Sequence, residues 1–175
     1  SMSSLRLISD TDLVDGVSTF SATNVFSDDY DIYKITINNL SHNSGSPAQI
    51  SFRFINSAGS IITSSEYDSA SLQLRSSTTS IDNSSKNDTD SVLMGYADLS
   101  PEASGFVIYV FNPTNTSSYT FFICQSSVAV SAVLHTFKGL GVLTETTGVS
   151  GFQIIASSNT LDSGNMKVYG LRVDS

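Results

Sequence analysis

Tyr33-Lys34-Ile35-Thr36-Ile37-Asn38 alternates apolar and polar residues without a break. Successive side chains of an extended strand point to opposite faces, so this spacing predicts a strand with Tyr33, Ile35 and Ile37 against a core and Lys34, Thr36 and Asn38 toward water. A helix would scatter the same residues around its circumference. The pattern returns at Ile50, Phe52 and Phe54, with Ser51 and Arg53 opposed, and at Leu72 and Leu74, which read as core-facing. Shorter candidates are Leu5 to Ile8, Val17 to Ala22, Val92 to Tyr96, Val128 to Phe137 and Val142 to Glu145. Phe152 to Ala156 and Met166 to Val173, joined by a loop from Ser157 to Gly164, read as a C-terminal hairpin. About ten short strands separated by Gly, Asn, Asp and Ser clusters suit two packed sheets better than one open sheet. The expectation is therefore an all-β fold, an antiparallel β-sandwich.

Composition agrees with that reading. A chain of 175 residues makes one domain, 1–175. Only 14% of its residues are charged, so its polarity comes from Ser, Thr and Asn, whose side chains compete for backbone groups and make poor helices. A formal net charge of −8 repels polyphosphate and anionic lipid, which argues against nucleic-acid binding. No stretch approaches the roughly 20 apolar residues of a membrane-spanning helix, so membrane insertion is not expected. The N-terminus lacks the basic and hydrophobic regions of a signal peptide, and Ser1 before Met2 reads as the scar of a cleaved tag. Cys124, the single cysteine, sits in an apolar run and reads as a buried, inert thiol.

Two segments break the alternation. Phe106-Val107-Ile108-Tyr109-Val110-Phe111 and Tyr119-Thr120-Phe121-Phe122-Ile123-Cys124 are apolar on both faces and bracket the turn sequence Asn112-Pro113-Thr114-Asn115. Such a strand pair needs cover on both sides, and no amphipathic helix offers it. The expected cover is another subunit, with Val107, Tyr109, Phe111 and Phe122 at the interface. A long loop folded over that face is the alternative. Ser76 to Asp90 is polar and almost free of apolar anchors, which predicts a long exposed loop.

Motifs that would carry chemistry are weak. Asp10-Thr11-Asp12-Leu13-Val14-Asp15-Gly16 superficially resembles a calcium loop, but its third ligand is out of register and Ser21 stands where the closing Glu belongs, so it reads as an Asp-rich turn. Asp28, Asp29 and Asp31, like Asp82, Asp88 and Asp90, read as solvated loops. Glu66, Glu102 and Glu145 form no recognisable acid–base pair. With only His42 and His135, neither a multi-imidazole zinc site nor a Ser-His-Asp arrangement is supported. His42 reads as part of a turn, and so does Gly139-Leu140-Gly141, which lacks the rest of a phosphate loop. No catalytic residue, cofactor or metal is expected, and the chain is expected not to be an enzyme. Aromatic faces can stack on sugar rings, and although Trp is absent, Tyr30, Tyr67 and Tyr96 lie near strand ends. Tyr67 and Tyr96 are the candidate ligand contacts of the alternative reading, a carbohydrate-binding module.

Gly164-Asn165-Met166-Lys167-Val168-Tyr169-Gly170-Leu171-Arg172 resembles the terminal strand of small β-rich virion proteins of tailed bacteriophages, especially marine ones, with its Tyr-Gly-aliphatic-basic ending. Asp29-Tyr30-Asp31-Ile32-Tyr33-Lys34-Ile35 is similar to their early Tyr-Asp-x-Tyr strand. Ile50-Ser51-Phe52-Arg53-Phe54, Ser57-Ala58-Gly59 and Glu66-Tyr67-Asp68 follow in the same order, so the likeness runs over residues 17–173. It implies a jelly-roll-like sandwich in the virion, a structural component of tail, fibre or head decoration. Such a protein assembles as a homo-oligomer, a trimer being favoured, beside other virion proteins, and its loops can touch a host surface glycan.

Overall fold

A computed structural model describes residues 4–43 and 46–171. Twelve strands account for nearly all of its regular structure: β1 Leu5–Asp12, β2 Thr19–Ala22, β3 Ile32–His42, β4 Ala48–Asn56, β5 Tyr67–Arg75, β6 Thr78–Thr89, β7 Val92–Ala97, β8 Ser104–Phe111, β9 Thr120–Val130, β10 Val133–Leu143, β11 Val149–Ala156 and β12 Leu161–Leu171. They form an eight-stranded sheet ordered β1-β12-β3-β8-β9-β10-β5-β6 and a four-stranded sheet ordered β2-β11-β4-β7. Every named pairing is antiparallel.

The connectivity becomes simple once the hairpins β5–β6 and β9–β10 are set aside. The remaining eight strands, counted in chain order, pair as 1-8-3-6 in one sheet and 2-7-4-5 in the other. That is jelly-roll connectivity, two interlocked Greek keys whose strands alternate between sheets. Both extra hairpins join the same edge of the same sheet, so the large sheet runs on past its smaller partner.

Alternation in the sequence is matched by alternation in burial. Tyr33, Ile35 and Ile37 on β3, Ile50, Phe52 and Phe54 on β4, and Phe106, Ile108 and Val110 on β8 all face the space between the sheets. An aromatic cluster fills the middle: Phe52 lies 5.0 Å from Phe122 and 5.4 Å from Phe152, and Phe54 meets Phe122 edge-on at 5.4 Å. Burying one such ring contributes roughly 1.5–3 kcal/mol, far more than exposed ion pairs supply. Gly151 lets β11 approach β2 closely, since a Cβ there would stand 2.1 Å from the Ala22 carbonyl oxygen.

The overhang explains several departures from the expected pattern. Leu72 and Leu74 point outward and are half exposed, at 47% and 50%, because beyond Tyr67 the core-side face of β5 leaves the hydrophobic core, with Tyr96 of β7 beside it, and carries Ser71, Gln73 and Arg75 instead. Residues 78–89 are exposed as expected, yet they form a strand, because an edge strand open to water on both faces needs no apolar anchor. β9 and β10 meet at Ser131-Ala132, both with positive φ (50° and 63°), a hairpin turn without the usual Asn or Gly. Val128 to Phe137 is therefore two strands. Gly139 and Gly141 lie inside β10 and not in a turn, Gly141 because a Cβ would stand 2.4 Å from the Phe122 ring. β11 and β12 belong to different sheets, so the expected C-terminal hairpin is a crossover. His42 ends β3, fully buried. The tag reading at Ser1 and the strand end at Arg172 and Val173 lie outside the described residues.

Candidate functional site

The register of the large sheet orders its outer face into rows. One row reads Leu171, Ile32, Phe111, Phe121, Val142 across β12, β3, β8, β9 and β10. The next reads Leu7, Tyr169, Lys34, Tyr109, Ile123, Leu140, Ala70, starting on β1 and ending on β5. The Lys34 ammonium lies 5.9 Å from the Tyr109 ring centroid, so its stem covers apolar surface while its charge rests on the ring. A third row, Asp10, Lys167, Thr36, Val107, Gln125, Lys138, Leu72, mixes polar and apolar groups. The face is thus apolar at one end and increasingly polar toward the other.

No strand or loop among the described residues hides the apolar rows. Phe121, Ile123 and Leu140 expose 53%, 45% and 54% of their surface. Val107, Tyr109 and Phe111 stand on the same face and are half-buried. Phe122 does not: it is 1% exposed and points into the aromatic core. In a run apolar on both faces, periodicity cannot say which parity is inside, and the pairing of Phe121 with Phe111 decides it. Phe121, Ile123 and Leu140 are the residues that sequence reasoning missed.

The face is also curved. Asn38 on β3 and Leu74 on β5 line one depression of about 560 Å³, although four strand spacings, roughly 19 Å, would separate them on a flat sheet. An adjoining hollow of about 440 Å³ is lined by Leu72, Asn83, Ile123, Lys138 and Leu140. Together they make a shallow trough with an apolar floor.

A second, smaller cleft lies under the overhang, on the core side. Tyr96 from β7, Gln73 and Arg75 from β5, His135 from β10, Val130 from β9 and Pro47 enclose about 290 Å³. The Gln73 Nε2 amide donates to His135 Nδ1 at 2.8 Å, so the imidazole proton sits on Nε2. Burial, and then the nearby Arg75 guanidinium, hold the His135 pKa below its ordinary 6.5. Arg75 is paired with Asp82. Tyr67, the other candidate ligand contact, is fully buried: its hydroxyl donates to the Ile62 carbonyl at 2.9 Å and accepts from the Phe54 amide at 2.9 Å. It closes the core and is out of reach of any ligand. Burial raises its pKa strongly. Tyr30 likewise packs inward, edge-on to Tyr33 at 5.8 Å.

Several carboxylates brace the framework. Glu145 accepts from Ser64 Oγ at 2.5 Å, Glu66 from Thr144 Oγ1 at 3.0 Å, and Glu102 from the Ala132 amide at 2.6 Å, which braces the β9–β10 turn. Asp10 and Asp12 lie on β1, not in a turn, and both accept from Asn165 Nδ2, at 2.8 and 3.0 Å. That hydrogen bond, with Lys167 nearby, lowers the Asp10 pKa. Among the described residues no group of three or more His, Cys, Asp or Glu side chains is placed to hold a metal ion. Burial pushes the Cys124 thiol up to about 12.

No family model matches the chain, and no curated protein does. Among solved structures, the CBM2 module of the evolved Dit of Lactobacillus casei BL23 phage J-1 is similar over 94% of this chain and 76% of its own, at 10% identity and a TM-score of 0.29. A family 7 alginate lyase in complex with substrate is similar over 83% of this chain and 64% of its own, at 11% identity and a TM-score of 0.24. At these scores no residue of either can be carried across to this chain.

Proposed function

We propose that this protein is a non-enzymatic structural component of a bacteriophage virion, in the tail, a fibre or the head decoration, and that it assembles with copies of itself through the outer face of its large sheet. The observation that carries the assembly is the pair of apolar rows running through Phe111 and Phe121 and through Tyr109 and Ile123, open to water in the single chain. Contiguous apolar surface of this kind marks a contact site, and a closed homo-oligomer hides it on every subunit at once. The virion setting rests on the likeness of the Tyr30 and Tyr169 segments to phage virion proteins. That likeness favours a trimer.

Those two segments also meet in space. Gly170 is the register partner of Tyr33, and the Tyr30 ring lies on Gly170, where a Cβ would stand 2.4 Å away. These two segments of the resemblance thus pack against one another.

Light scattering on the eluting peak is expected to give a discrete oligomer at micromolar concentration. The triple variant Phe121→Ser, Ile123→Ser, Leu140→Ser is expected to be monomeric and folded. A monomeric wild type, or an oligomer unchanged in the variant, refutes the assembly.

A further inference from the structure

We infer that the cleft under the overhang, between Tyr96, Gln73, Arg75 and His135, is a binding site for one neutral pyranose ring of a glycan. The site is distinct from the assembly face, which lies on the opposite side of the same sheet, and the inference stands whether or not that face assembles.

The cleft draws its walls from both sheets, β5, β9 and β10 of the large one and β7 of the small one, so its width is set by the sandwich itself. A volume near 290 Å³ falls just under the range for drug-sized ligands, roughly 300–1,000 Å³, and suits one ring with its neighbours in solvent. The half-buried Tyr96 ring, Val130 and Pro47 supply apolar surface for the C–H face of a sugar. Hydrogen-bonding capacity is mixed, as hydroxyl groups require. Gln73 spends an amide N–H on His135 and keeps Oε1 as an acceptor, while His135 keeps Nε2–H as a donor, and the Tyr96 hydroxyl serves as either. These groups are pre-positioned: the amide locks the imidazole, and Asp82 fixes the guanidinium.

Charge selects among saccharides. Arg75 is already paired with Asp82 and the chain carries −8 overall, so a uronate or a sulfated sugar competes with Asp82 for the guanidinium and enters against the net field, at a cost in affinity. A neutral ring meets no such cost.

The test is NMR titration of the intact protein with methyl glycosides of glucose, galactose, mannose, N-acetylglucosamine and rhamnose, with methyl glucuronoside as the charged arm. Each is added to about 10 mM, where a millimolar site is mostly filled. At least one neutral glycoside is expected to move the His135 Cε1–H and Tyr96 ring signals saturably. Tyr96→Ala and Gln73→Leu should each weaken that affinity at least tenfold, and Phe121→Ser should leave it unchanged. Gln73 sits on the half-exposed overhang, so its variant reports on binding even where Tyr96→Ala compromises folding. Absence of a shift with every neutral glycoside overturns the proposal. So does wild-type affinity in Gln73→Leu, or tighter binding of the glucuronoside.

Discussion

Two glycines in extended segments separate what a side chain can yield from what a backbone cannot. Gly151 faces the Ala22 carbonyl, so Gly151→Ala forces β2 and β11 apart and is expected to cost about 3 kcal/mol or more. Gly170 meets first the Tyr30 ring, a side chain that can shift where a backbone carbonyl cannot, so Gly170→Ala should cost roughly 1–3 kcal/mol. Urea unfolding of the two variants checks the order, and equal losses would contradict it. Cys124 should ignore a thiol reagent at neutral pH until the protein unfolds, since burial holds the thiol near 12. His135 titrates below 6.5 in the folded state, so the unfolded chain binds its proton first as pH falls. Stability from this group is therefore intact above pH 6.5 and lost as pH drops through the lower folded value. Protonation also puts a hydrogen on Nδ1, which forces the Gln73 amide to turn its oxygen inward. The His135 NMR midpoint should lie under 6.5 and rise toward it in Arg75→Gln.

At the level of elements, alternation was legible wherever one face is buried and the other wet, as on β3 and β4. It misled on β5, where Leu72 and Leu74 point outward because the hairpin overhangs its neighbour sheet. It was silent on β6, whose two solvated faces leave no period to read. The β9–β10 turn escaped notice because Ser131-Ala132 lacks turn residues and leans on Glu102 to hold its positive φ angles. Replacing the pair with Asn-Gly should raise stability by about 1 kcal/mol, and Glu102→Ala should lower it by a similar amount, both read from denaturation midpoints. A stabilisation by Glu102→Ala would mean the turn needs no brace.

For the molecule as a whole, apolar burial dominates and ion pairs are few, with Arg53–Asp90 at 2.9 Å and Lys167–Asp10 at 3.5 Å both exposed. Raising salt screens such pairs but strengthens apolar contacts, so unfolding temperature and oligomer size should hold or increase in sodium sulfate. An oligomer that dissociates in salt would point to charge as its cement. Composition and two-residue periodicity were enough to settle an all-β sandwich, because they depend on which residues tolerate water and on the geometry of a single strand. The doubly apolar ribbons were visible in the same way. Which of their residues face outward, which hairpins widen the large sheet, and that Gln73, His135 and Tyr96 share one cleft depend on pairing register and on the unequal width of the two sheets. Those are relations between strands far apart in the chain, and no local pattern encodes them.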